Sequence, residues 1–374
     1  LLASGVFRSG SLPEPGRYTT LFYRDGRTAS VSVRRTAAGG IILATNGKPD
    51  ASASAAQLSA DSGRPKLELR ADDVTQILLS LIPLAHMPHA QDVAVIGQGS
   101  GITSHTLLGS PSLRDLATIE IEPEMIRGSM SFYPLNRREF EDPRAHFVVD
   151  DAKSYFAAAG RQFDLIVSEP SNPWVSGVSG LFTEEFYQRI RRSLKPNGIF
   201  AQWLHLYEFN DGLARSVLAA LQRSLPTYDI YFVGDGDIVL IATPGPTLPK
   251  PDWSVVEFPG IKQDLAKFLP LTAHTLDALR LANARALAPF VTTARPNSDF
   301  TPLVDLGAER ARYLGFDASG FRALNTYSFD LGSALSDRRA PFGTETHPSI
   351  DIERVRFRAR GPLLRGAPGA TGRR

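Results

Sequence analysis

The chain contains no cysteine, which excludes a disulfide framework and any Cys-ligated metal while leaving the compartment open. It has no run of about 18 or more apolar residues, so it contains no helical membrane span. Neither charge dominates: 41 Lys and Arg stand against 39 Asp and Glu. That balance gives no footprint for a nucleic-acid partner, and the locally basic stretch after Arg354 is expected to be a solvated, disordered end. No internal repeat is present, and no metal is expected. The first residues are Leu1-Leu2-Ala3 rather than methionine, as expected of a fragment or a processed product.

What is present fills two or three domains' worth of chain, 374 residues, with enough apolar content for a substantial core. Residues 17–45 predict short strands, Tyr18–Tyr23, Ala29–Arg34 and Ile41–Leu43, with a turn at Asp25-Gly26 between the first two. Residues 50–65, rich in Ala, Ser and Gly, predict a surface loop. A helix is expected from Asp72 to about Leu81, ended by Pro83.

From Gln91 the pattern becomes strand–helix alternation. Strands are expected at Val93–Ile96, Ala117–Ile121, Phe147–Val149, Phe163–Val167 and Ile199–Leu204, with a helix at Thr183–Leu194. Such alternation predicts a parallel, doubly wound sheet. Asp229–Val233 and Asp237–Ala242, joined through Gly234-Asp235-Gly236, predict an antiparallel pair. The fold class is therefore α/β: a class I methyltransferase-like Rossmann sheet, parallel with an antiparallel terminal hairpin, preceded by a small β region. The expected division is 1–85 for the N-terminal β-hairpin region and lead-in helix, 86–245 for the Rossmann-like domain, and 246–374 for a helical or irregular extension. Within that extension, helices are expected near Ile261–Phe268 and Thr275–Ala288.

The strand ends carry the chemistry. Ligands of open α/β sheets sit outside the carboxyl ends of the strands. Gly97-Gln98-Gly99-Ser100-Gly101 follows the first strand as GxGxG rather than GxGxxG, which favours an adenosyl-sulfonium ligand over NAD. Glycines there let the backbone turn tightly beside a ligand. Glu120, 23 residues past Gly97, can accept two ribose hydroxyls or stand as a solvated charge. Asp150-Asp151 ends the third strand and can meet an adenine amino group or cap the helix starting near Lys153. The fourth strand runs into Ser168-Glu169-Pro170-Ser171-Asn172-Pro173-Trp174, where two prolines restrict the loop's path. Trp174 and Tyr207 can offer π faces to a cation, loop packing being the plainer role for Trp174. His205 is expected to be packed or capping.

With these residues in place, the stretch Val93–Thr243 resembles the spermidine/spermine synthase (polyamine aminopropyltransferase) family. Asn46-Gly47-Lys48 through Thr75-Gln76 resembles that family's N-terminal β region. The Ser168–Trp174 loop, Ser179-Gly180-Leu181-Phe182-Thr183-Glu184-Glu185-Phe186-Tyr187 and Gln202-Trp203-Leu204-His205 look most like a bacterial branch often fused to a multi-helix membrane region. The resemblance implies that Gly97, Gly99, Gly101, Glu120, Asp151 and Gln76 hold decarboxylated S-adenosylmethionine or S-adenosylmethionine as co-substrate. It further implies that Glu169, with Asn172 beside it, serves the attacking amine, and that Trp174 and Tyr207 border a small, putrescine-like amine. A homodimer and a cytoplasmic location, with tethering to an upstream membrane region, are implied on the same ground.

Four positions depart from the family. Asn172 replaces the second loop aspartate, Ser100 replaces the acid of the glycine turn, and Thr75 and Ile77 replace a tyrosine and a glutamate. A site for a polycationic amine should be rich in carboxylates. Three readings therefore stand: an aminopropyltransferase, an S-adenosylmethionine-dependent methyltransferase, and a non-catalytic nucleoside-binding or sensing module.

Overall fold

The computed structural model describes residues 14, 16–58, 71–158, 160–234, 236–266 and 271–324. Four antiparallel strands open it: β1 (Tyr18–Asp25), β2 (Ser30–Thr36), β3 (Ile41–Thr45) and β4 (Lys48–Ala53), paired in that order. The strand β4 corrects the loop expected from residue 50. Its Lys-Pro-Asp-Ala-Ser-Ala sequence has low strand propensity. It pairs because Asn46 and Gly47, at φ 50° and 77°, make a tight hairpin from β3, and because an edge strand tolerates Pro49. Residues 59–65 of the expected loop lie outside the described residues.

The helix α1 (Ala71–His86) runs through Pro83 instead of ending there. An internal proline costs roughly 3 kcal/mol. Leu84 and Ala85 beyond it are fully buried, and burying one leucine side chain returns about 1.5–3 kcal/mol. Packing of both flanks thus offsets the break.

The main sheet has eight strands: β5 (Asp92–Ile96), β6 (Asp115–Glu120), β7 (Ala145–Val149), β8 (Phe163–Ser168), β9 (Leu194–His205), β10 (Thr227–Gly234), β11 (Asp237–Thr243) and β12 (Arg280–Asn283). Their spatial order is β12-β10-β11-β9-β8-β5-β6-β7. From β7 to β9 every pairing is parallel, whereas β11 lies antiparallel between β9 and β10. This is the expected doubly wound sheet with a terminal hairpin. Asp235 in the hairpin's tip lies outside the described residues.

The eighth strand corrects the single helix expected over Thr275–Ala288. That segment divides into helix Ala273–Asp277, strand β12 and helix Ala284–Val291. Asn283 ends the strand and caps the second helix, accepting from the Ala286 N–H at 2.8 Å. Apolar spacing could not tell a helix from a buried edge strand over so few residues. The expected helix over Ile261–Phe268 is Pro259–Leu265. The tail from residue 325 lies outside the described residues.

Two apolar cores flank the sheet. One gathers α1 and the inward residues of β2, β3 and β4 with Val93, Val95, Leu165 and Val167. The other lies beneath the helices Glu184–Ser193 and Asp211–Ser224. With both faces covered, β8 (Phe-Asp-Leu-Ile-Val-Ser) reads as a nearly continuous apolar run, and the chain reaches solvent at strand ends. Among the described residues, no helix is long and apolar enough to cross a membrane.

Candidate functional site

The chain winds outward from β5 through β6 to β7 and then returns to place β8 on its other side. The switch point therefore falls between β5 and β8. There the Glu169 N–H donates to the Ile96 carbonyl at 2.9 Å, so the two loops leave the sheet side by side. Gly97 sits at φ +92°, and a Cβ there would stand 2.5 Å from the Glu169 carbonyl oxygen. Gly101, at φ +80°, caps the next helix, Ile102–Leu107, where a Cβ would overlap the Glu139 carboxyl. A side chain at Gly97 would force these two loops apart, and one at Gly101 would displace Glu139 from beneath the turn.

Above this point opens a cleft of about 620 Å³, a size suited to a nucleoside with a small second ligand. Of the residues expected at the site, Gln76, Gly97, Gly99, Glu120, Asp151, Glu169, Asn172 and Tyr207 line it. Gly101 and Trp174 do not. Gly101 sets the helix start. Trp174 is buried beneath the Arg312 guanidinium, 4.0 Å from its ring centroid, with the Lys48 ammonium at 5.4 Å. Loop packing is thus the environment of Trp174. His205 is likewise packed, fully buried among Trp203, Tyr207 and Phe209.

The nucleoside side is built on backbone donors. Glu120 accepts the Gln98 N–H at 2.9 Å on one oxygen and the Glu122 N–H at 2.8 Å on the other. Each oxygen so held keeps lone-pair capacity for a hydroxyl. Burial pushes the Glu120 carboxyl up to about 7, against the pull of those two N–H groups. Asp151 caps the helix Ala152–Ala158, its Oδ1 accepting from the Ser154 N–H at 2.9 Å. Its second oxygen takes no part in that cap. Ile121, half exposed beside Glu120, adds an apolar wall. Gln76 accepts a short hydrogen bond from the Ser100 hydroxyl and donates to the Ser52 carbonyl at 3.4 Å, tying α1 to the glycine turn and to β4.

Glu169 stands between the two sides. Its Oε2 accepts from the Thr103 hydroxyl at 2.6 Å. Desolvation raises its carboxyl to about 7, and the Thr103 bond pulls the other way. A carboxyl poised near neutrality on a switch-point loop can exchange a proton with a bound amine. Beyond it, Asn172 is buried, and its Nδ2 finds no partner among the described residues.

Several cleft residues escaped the sequence reading. Lys48 donates to Asp50 at 2.5 Å and to the Ser171 hydroxyl at 2.6 Å, and all three line the cleft. Asp237 accepts from the Trp203 indole N–H at 3.2 Å and from the Thr75 hydroxyl at 3.4 Å. It reaches the cleft because β11 runs antiparallel to β9, pairing Asp237 with His205. An N-terminal strand residue thereby arrives at the carboxyl edge. The signal available was a lone acid opening an otherwise apolar strand, Asp237-Ile238-Val239-Leu240-Ile241. Lys48, Asp50 and Ser171 carried no such signal.

Residues 73–233 match the family model described as Spermine/spermidine synthase domain. The chain is 28% identical over 184 residues to "Putrescine N-methyltransferase 2" of Nicotiana attenuata, covering 46% of this chain and 48% of that protein. It is 29% identical over 154 residues to "Polyamine aminopropyltransferase" of Bacillus subtilis, covering 41% and 55%. The chain thus spans about half the length of the curated relatives it matches. Among solved structures, a spermidine synthase in complex with the transition state analogue AdoDATO superposes with TM-score 0.52 at 17% identity, covering 79% of this chain and 88% of that one. The spermidine synthase of Thermotoga maritima gives 0.50 at 17% identity, with the same two coverages. These likenesses establish the shared fold.

Proposed function

We propose that this chain, which carries a spermine/spermidine synthase domain over residues 73–233, is a spermidine synthase-like transferase. In this reading it moves an aminopropyl group from decarboxylated S-adenosylmethionine to a small amine. The observation that carries the reading is Glu169: a desolvated carboxyl with its pKa near 7, held by Thr103 at the mouth of the switch point.

The donor supplies a carbon activated by its sulfonium. Glu120 would hold the ribose hydroxyls, Asp151 and Ile121 would border the base, and the Gly97 turn would let the backbone approach closely. The fit rests on the two backbone-anchored oxygens of Glu120 and on a turn that a Cβ at Gly97 would close. Asp237 supplies a carboxylate that the sequence comparison found missing at Ser100, and it would meet the ammonium of the donor's side chain.

An amine near pH 7 is mostly protonated and has no lone pair to offer. Glu169, ionised, takes that proton and orients the freed amine toward the carbon beside the sulfonium. The nitrogen–carbon bond forms as the carbon–sulfur bond breaks, the electron pair goes to sulfur, and a neutral nucleoside thioether leaves. The proton ends on Glu169.

Methyl transfer from S-adenosylmethionine is the second reading, favoured by Ser100 in place of an acid and by relatives named putrescine N-methyltransferases. Calorimetry with both donors separates the two: preference for the carboxylated form sinks the aminopropyl reading. Glu169→Gln should abolish turnover while donor affinity holds. Donor binding by a wild type that turns over no amine would favour the sensing module. A homodimer, implied by the resemblance, would give twice the chain mass in light scattering.

A further inference from the structure

We propose that the acceptor is an amine whose far end carries an oxygen rather than a second ammonium. This rests on the amine-transfer reading above and concerns the wall of the cleft where Ser171 and Asn172 follow Glu169, to which Ser171 ties a Lys48–Asp50 pair whose Asp50 also faces Glu120.

That part already contains a cation. The Lys48 ammonium, on a side chain 6% exposed, lies 2.5 Å from the Asp50 carboxylate, whose side chain is 9% exposed. The Ser171 hydroxyl, 2.6 Å from both Lys48 and Asp50, closes the group. The Asp50 carboxylate is therefore neutralised from within the protein. A second ammonium entering here would have to displace Lys48 from Asp50 or lie beside a like charge in a poorly hydrated space.

Asn172 lines the same cleft, is 5% exposed, and its buried Nδ2 donates to no described residue. A buried N–H without an acceptor is costly unless a ligand supplies one. An ammonium has only donors and leaves that amide unsatisfied, whereas a hydroxyl or carboxylate oxygen satisfies it. Asp237, the other acid of the acceptor half, is tied through Thr75 to the side of Gln76 and Ser100 and is thus turned toward the donor. The wall around Ser171 and Asn172 is consequently a place for an oxygen acceptor, neutral or anionic.

The test compares three acceptors of equal reach, 1,4-diaminobutane, 4-aminobutanol and 4-aminobutyrate, with the donor that the protein prefers. Release of the nucleoside thioether gives kcat/KM. At least one oxygen-bearing amine should exceed the diamine by tenfold or more; 4-aminobutanol leading identifies a neutral acceptor group, and 4-aminobutyrate an anionic one. A diamine that equals or exceeds both overturns the proposal. The double variant K48Q/N172D should shift the ratio toward the diamine by at least tenfold, and an unchanged ratio also overturns it. Binding of the same compounds to protein loaded with methylthioadenosine, read by calorimetry, gives the preference independently of turnover. Tighter diamine binding, or no binding of either oxygen compound, overturns the inference. Absence of turnover with every amine despite the expected binding order overturns the transfer reading instead.

Discussion

The Arg312 guanidinium lies 4.0 Å from the centroid of the Trp174 indole. The two residues belong to different parts of the molecule. Trp174 closes the loop that carries Glu169, and Arg312 comes from the helix Leu303–Tyr313 in the C-terminal extension. The same extension holds the segment that follows the loop, since the Ser179 hydroxyl donates to Asp305 at 2.8 Å and the Asn297 amide to the Phe182 carbonyl at 2.9 Å. A region without any recognisable site motif therefore braces the wall of the cleft.

Arg312 should accordingly act as a positioning residue. A guanidinium over tryptophan is worth about 0.5–2 kcal/mol, so Arg312→Ala should raise KM for the acceptor by about two- to thirtyfold. Donor affinity should be unchanged, and Arg312→Lys should restore part of the loss. Steady-state kinetics with the acceptor varied, together with calorimetry of the donor, check this. A parallel fall in donor affinity would mean that the whole fold had loosened.

Glu169 must be ionised to take a proton, and burial holds its carboxyl near 7. Turnover should therefore rise with pH up to about 7 and then level. Thr103→Val removes the hydrogen bond that favours the carboxylate, so the acid limb should move to higher pH, by about one unit or less. A pH–rate profile of both proteins measures the displacement, and a limb that stays in place would remove Glu169 as its source.

Asp237→Asn preserves an acceptor for the Trp203 indole N–H but deletes the charge. Loss of a charge-assisted pair with the donor's ammonium should weaken donor binding about tenfold. Methylthioadenosine, which lacks that ammonium, should bind unchanged. Calorimetry of both ligands decides it, and equal losses would show that the substitution acts on the fold.

Glu139 is buried beneath the glycine turn, where it accepts from Gln98 at 2.8 Å and Thr118 at 3.0 Å. Desolvation lifts its carboxyl to about 8. The folded state thus holds this proton more tightly than the unfolded chain does. Its contribution is complete below the ordinary glutamate range near 4.5 and is lost as pH rises toward 8. Glu139→Gln removes that loss, at about 1.4 kcal/mol per tenfold change in affinity. The variant should melt several degrees higher at pH 8 and like the wild type at pH 4.5. Thermal melts at the two pH values test this, and a lower melting point at pH 8 would contradict it.

The amino-acid sequence by itself determined the sheet and its working edge. Alternation of apolar runs with helical spacing gave β5 to β9, the hairpin pair β10 and β11 followed from Gly234 and Gly236, and Glu120 and Glu169 were legible as acids at strand ends. These are local signals, carried by a few neighbouring residues. Tertiary structure decided what local signals cannot encode. The strand β4 forms on an edge despite Pro49, α1 continues through Pro83 because Leu84 has a core to enter, and β12 forms where the pattern suggested helix. The walls of the cleft were decided in the same way: Lys48 meets Ser171 across 123 positions of chain, Asp237 arrives by reversal of β11, and Arg312 reaches Trp174 from the extension. Pairings between residues so distant leave no period in the sequence, because their free energy comes from burial and charge neutralisation that exist only once the chain has folded.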